Sequence, residues 1–111
     1  MRPRILFVCS RNQWRSPTAE AVYRNDSRLE VRLAGVSASA RHVISTVDID
    51  WADLILVMAP EHKQRIREQF RGGELPPIEC LDIPDDYRYM DTELQQLIRQ
   101  STEPWINQLL S

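Results

Sequence analysis

Behind Arg4, the residues Ile5, Leu6, Phe7 and Val8 form an unbroken apolar run. A run without alternation predicts a central parallel strand covered on both faces. Beyond Cys9 to Arg15, Ser16 is suited to cap a helix and Pro17 to its first position, so the stretch to Arg24 is expected to be helical. Leu29, Val31 and Leu33 alternate with Glu30 and Arg32, the pattern of a half-exposed edge strand, and Ala34-Gly35 stops it. Val36 to Ile44 is small and polar and reads as a loop, after which Ser45 caps a short helix running to Ala52.

Asp53 to Met58 is a further buried strand. Pro60 then opens a charged helix in which His62, Ile66 and Phe70 share one stripe, and Gly72-Gly73 is expected to end it. Pro76-Pro77 leads into a short strand, Ile78 to Leu81, and Asp82 to Tyr87 has the composition of a loop at its end. From Asp91 onward, Leu94, Leu97, Ile98, Trp105 and Leu109 keep helical spacing, with Pro104 expected to bend or restart the helix. Strands and helices alternate without a repeat. That order predicts an α/β fold with a parallel sheet and helices on both faces.

Composition narrows the picture. The 111 residues, 42% of them hydrophobic, are enough for one core, so residues 1–111 are expected to form a single domain. A formal net charge of -2 leaves no global field to draw the chain onto nucleic acid or an anionic membrane. The apolar stretch near the N-terminus is far too short for a signal-peptide core or a span, and a cytoplasmic location is expected. In such a reducing compartment Cys9 and Cys80 are not expected to form a structural disulfide. Neither has a His or Cys neighbour at ligand spacing, and His42 and His62 lie on separate segments, so neither a metal nor a cofactor is expected.

The chemistry concentrates in Cys9-Ser10-Arg11-Asn12-Gln13-Trp14-Arg15-Ser16, where five residues separate a cysteine from an arginine on a turn between a central strand and a helix N-terminus. Such a loop turns backbone N–H groups inward, the helix dipole adds positive charge, and Arg15 has a planar fork for two oxygens. Ser10 to Ser16 is thus a candidate phosphate cradle. The field that holds phosphate also favours a thiolate, which makes Cys9 the candidate nucleophile and a phosphocysteine the expected intermediate. Ser16 is positioned in sequence to donate a hydrogen bond to the sulfur.

A plainer reading makes Cys9 a buried strand residue and leaves Arg15 on the surface, but the strand before the loop and the Ser-Pro helix start after it favour chemistry. A proton donor is needed for the leaving oxygen, and the adjacent Asp85 and Asp86 are both candidates; a solvated acidic turn would use the same residues.

These residues resemble the low-molecular-weight protein tyrosine phosphatases, whose signature is a hydrophobic strand, Cys-x5-Arg-Ser-Pro and an Ala-Glu-rich helix. Phe7-Val8-Cys9, Asn12, Arg15-Ser16-Pro17 and Ala19-Glu20-Ala21 match it. Ala34-Gly35, the strand Asp53 to Met58 and Pro84-Asp85-Asp86-Tyr87 match later family features, the last with Asp86 in place of a proline. The resemblance implies a three-layer α/β/α sandwich with a four-stranded parallel sheet in the order 2-1-3-4 and the phosphate loop after strand 1. It implies Asp85 as general acid, with Asp86 as the alternative, and Asn12 as the residue that holds the loop's shape. Tyr87 could stack on a substrate ring or pack on Trp14. Cys80 is expected to fill the sheet interior and His42 to be an exposed loop residue.

The chain departs from the family in three places. It is shorter between Gly35 and Asp53, where the family has a helix and a wall of the site mouth; Arg11 replaces a glycine; and Trp14 replaces a second cysteine. The expected partner is a phosphotyrosine-containing protein or a small aryl phosphate, with inorganic phosphate as product. A catalytically silent phosphate-binding module is the alternative. Arsenate reduction is a further one, weakened because Cys80 is the only other cysteine for a relay.

Overall fold

The computed structural model describes residues 2–11 and 14–111. Among them the chain alternates β1 (Arg4–Cys9), α1 (Arg15–Tyr23), β2 (Glu30–Gly35), α2 (Thr46–Trp51), β3 (Leu54–Val57), α3 (Pro60–Gln69), β4 (Ile78–Cys80) and α4 (Thr92–Leu110). The four strands pair in parallel in the order β2-β1-β3-β4. The expected class and strand order are both found.

The unbroken apolar run of β1 is explained by its two covered faces. Ile5, Phe7 and Cys9 point into a core shared with Ala19 and Tyr23 of α1 and Leu94, Ile98 and Ile106 of α4. Leu6 and Val8 point the other way, to Ile49 of α2, Ile66 of α3 and Ile78 of β4. Three layers result. The rings of Phe7 and Tyr23 stack with centroids 6.1 Å apart, a contact worth about 0.5–1.5 kcal/mol beyond its buried area. The Tyr23 hydroxyl donates to Glu103 at 2.9 Å, and Arg28 bridges Glu103 and Asp26, so α4 is tied to the end of α1 by a hydrogen bond and to the turn after it by an ionic clasp. Burial, and then the Glu103 carboxylate, push the Tyr23 phenol well above its ordinary range.

Several local expectations are corrected. α4 runs without a break from Thr92 to Leu110 with Pro104 inside it. The proline removes one N–H from the ladder, but Ile98, Thr102 and Ile106 are fully buried around it and hold the helix in one piece. Helix α3 ends at Gln69 with Phe70 as its cap, before the glycines, and Gly72 takes up the positive φ of 90° in the turn that follows. Asp91 caps α4, its side chain accepting from the N–H groups of Glu93 and Leu94.

The topology decides where a ligand belongs. From β1 the chain crosses to β2 on one side, and from β3 it crosses to β4 on the other. The carboxyl ends of β1 and β3 therefore flank a switch point, the crevice at which open α/β sheets bind ligands. Cys9 is the last residue of β1.

Candidate active site

At the end of β1, Cys9 is 3% exposed and faces the first turn of α1. Its Sγ lies 3.0 Å from the Oγ of Ser16. The sequence suggests Ser16 as the helix cap; instead α1 begins two residues earlier than that implies, at Arg15, with Trp14 in the cap position and no side-chain capping bond. The serine hydroxyl is thereby turned to the sulfur.

Arg15 is an arginine in the interior, 7% exposed. Its Nη1 donates to the carbonyl of Ile83 at 3.0 Å, and its Nε lies 3.5 Å from Oδ1 of Asp85. The Asp85 side chain is 71% exposed. The turn that carries both partners is fixed to β3 by backbone bonds from Leu81 to Val57 and from Ile83 to Met58, and Asp82 between them has a left-handed φ of 57°.

A cavity of about 280 Å³ opens above the sulfur, lined among the described residues by Cys9, Ser10, Arg11, Trp14, Arg15 and Asp85. Six of the sequence-derived site residues thus meet there, with Ser16 directly behind the sulfur. Asp86 is exposed and does not line the cavity, so the geometry separates the two acidic candidates. Tyr87 packs against the core between the sheet and helices α1 and α4 rather than on the cavity or as a ring wall. Asn12 and Gln13 lie outside the described residues.

The outgoing loop is braced from the side. Val36, Ser37 and Arg41 donate backbone hydrogen bonds to the carbonyls of Cys9, Ser10 and Arg11 at 3.0, 2.9 and 3.3 Å. The brace folds back on Gly35 through bonds with His42 and Ile44. His42 is half in solvent, and its Nε2 lies 2.9 Å from Oδ2 of the buried Asp48, which also accepts from Ser45. Periodicity carries no signal for this brace, because its residues are small and polar and act through their backbone.

Sequence reasoning also misses His62. On the first turn of α3, just beyond the switch point, it is 2% exposed and accepts the N–H of Ala59 at Nδ1, 3.1 Å away. Burial, and then the positive charge of Arg15, lower its pKa to about 4. The imidazole is neutral, with its proton assigned to Nε2. The available signal was topological: β3 neighbours β1, so the helix after β3 must start beside the loop after β1.

Cys80 is half-buried, and burial pushes its thiol up. In the strand register Val8 pairs with Val57 and Val57 with Cys80, so two strand spacings, roughly 10 Å, separate it from the β1 position next to Cys9. That exceeds the reach of a disulfide, about 7 Å between Cα atoms.

Fold and loop together define a class: a doubly wound α/β protein with a Cys-x5-Arg loop at its topological switch point. A protein-arginine-phosphatase of Bacillus subtilis (strain 168) is 31% identical over 141 aligned positions, which cover 86% of this chain and 92% of the relative. A protein-arginine-phosphatase of Geobacillus stearothermophilus is 36% identical over 91 aligned positions, which cover 60% of this chain and 62% of the relative. The crystal structure of SP-PTP, a low-molecular-weight protein tyrosine phosphatase from Streptococcus pyogenes, superposes with a TM-score of 0.82 over 98% of this chain and 94% of its own. Its 20% identity makes that a likeness of fold. No family model matches. The chain belongs to the low-molecular-weight protein tyrosine phosphatase family and is a phosphatase of that family.

Proposed function

We propose that this protein removes phosphate from phosphotyrosine-containing proteins or small aryl phosphates in the cytoplasm, in two steps through Cys9. In the first, the Cys9 sulfur forms a bond to phosphorus while the bond to the leaving oxygen breaks, and Asp85 gives that oxygen its proton. Arg15, with the N-terminus of α1 at its back, stabilises the equatorial oxygens as charge builds on them. In the second, Asp85 takes a proton from water as the water oxygen bonds to phosphorus. The sulfur–phosphorus bond breaks and inorganic phosphate leaves. Ser16 stabilises the sulfur anion at both ends of the cycle.

The observation that carries this reading is the convergence of an enclosed sulfur, an enclosed guanidinium and a mostly solvated carboxylate on one cavity. A binding module has no use for the first or the last. Among the described residues no helix is long and apolar enough to cross a membrane, which is compatible with the cytoplasmic location.

A second reading, phosphoarginine as substrate, is favoured by the names of the two relatives above 30% identity. The two differ in the atom released, oxygen from tyrosine and nitrogen from arginine. Turnover of matched phosphotyrosine and phosphoarginine peptides by intact protein and Cys9→Ser decides between them. A tyrosine phosphatase should show the higher kcat/KM on phosphotyrosine, and Cys9→Ser should release no phosphate from either. Comparable release by Cys9→Ser would refute the thiol mechanism, and dominance of phosphoarginine would replace the aryl substrate.

A further inference from the structure

We propose that the indole of Trp14 is the surface that reads the leaving group, and that it selects a planar aryl group over an aliphatic one. The inference rests on the phosphatase reading and adds to it a residue that determines specificity. Of the described residues around the cavity, Cys9, Ser10, Arg11, Arg15 and Asp85 are small or polar, and Trp14 alone brings a broad apolar face.

That face is not used by the core. Trp14 is 44% exposed, although the next two residues, Arg15 and Ser16, are buried at 7% and 0%. Tryptophan normally hides most of its large surface, so an indole left open on the wall of a polar cavity has area to offer a ligand. Tyr87, the other aromatic candidate, packs partly against the core and is not among the described residues that line the cavity.

Trp14 directly precedes Arg15, whose guanidinium is held by the Ile83 carbonyl, and its side chain lines the same cavity as the phosphate grip. The two arginines that line the cavity suit the phosphate dianion, and the indole is left for the group attached to it.

Phenylphosphonate and methylphosphonate, which cannot be hydrolysed, test the point by calorimetric binding to the intact protein, Trp14→Ala and Trp14→Phe. The intact protein should prefer the phenyl compound by roughly tenfold. The preference should fall to about twofold or less in Trp14→Ala and be kept in Trp14→Phe, which preserves an aromatic face. An unchanged preference in Trp14→Ala overturns the inference and leaves the phosphatase reading intact. Failure of the intact protein to bind either phosphonate overturns the phosphate cradle and this inference with it. A Trp14-dependent preference without aryl phosphate turnover sustains Trp14 as an aryl-binding face and removes the aryl phosphate substrate.

Discussion

Arg15 and Asp85 face each other across the cavity at 3.5 Å, one side chain almost wholly enclosed and the other mostly in water. The pair is asymmetric in what it can do. Arg15 is held from behind by the Ile83 carbonyl, whereas Asp85 is free to swing away when an oxyanion competes for the guanidinium. In the proposed mechanism, a phosphate that takes Arg15 would release the Asp85 carboxylate for the leaving oxygen.

Two opposed effects are expected of Asp85→Asn. Turnover of an aryl phosphate with a poor leaving group should fall by about 10²–10⁴-fold, and that of an activated nitrophenyl ester by much less. Affinity for inorganic phosphate should rise several-fold, because a competing negative charge is removed from Arg15. Asp86→Asn should stay within about twofold of the intact protein in both assays, since its side chain does not reach the cavity. Equal loss in the two variants would remove the assignment of the acid.

Ser16→Ala deletes the hydroxyl 3.0 Å from the sulfur. A hydrogen bond to a charged group contributes about 1.5–3 kcal/mol, so kcat should drop by roughly 10- to 100-fold. KM should move little, because the bond acts on sulfur rather than on phosphate. Steady-state kinetics with an aryl phosphate separates the two parameters, and a variant that loses only affinity would contradict the role.

His62 makes stability depend on pH in a defined direction. Its folded pKa, about 4, lies below the ordinary histidine value, so the unfolded chain binds the proton first as pH falls. The contribution is fully present above about pH 6.5, is lost progressively down to about pH 4, and amounts to on the order of 3 kcal/mol. Urea midpoints at pH 7.5, 5.5 and 4 should therefore fall more steeply for the intact protein than for His62→Gln. Parallel slopes would mean that acid sensitivity arises elsewhere.

Thr102 is fully buried on α4, and among the described residues its Oγ1 is a buried side-chain oxygen without a hydrogen-bond partner. Thr102→Val replaces that hydroxyl with a methyl of similar shape. Stability should rise by about 1 kcal/mol or more, read as a higher midpoint in thermal unfolding. A lower midpoint would show that the hydroxyl is satisfied in solution.

What could be read from the sequence follows from the range of the forces involved. The strand of Ile5 to Val8 announces itself because both faces must be apolar, and strand order follows once helices separate the strands. Cys9, Arg15 and Ser16 are legible because their chemistry is confined to one short loop. Choosing between Asp85 and Asp86 needed the family resemblance at the level of sequence, since adjacent residues on a turn differ only in direction. The same holds for Tyr87: an aromatic beside an acid gives no hint of which side its ring falls, and here it packs partly against the core. Pro104 was expected to interrupt α4 because the cost of a lost hydrogen bond is local, while the burial of Ile98 and Ile106 that outweighs it is not. The link from His62 to Arg15 spans three elements and leaves no periodic trace.

The carbonyl of Ile83 that anchors Arg15 belongs to the same short turn that carries Asp85. In the proposed mechanism the grip on the oxyanion and the source of the proton therefore share one backbone mounting, on which only the Asp85 side chain turns. An inserted or deleted residue in that turn would detune both at once, so the protein can exchange the side chains around its mouth far more freely than it can alter the length of this one bend.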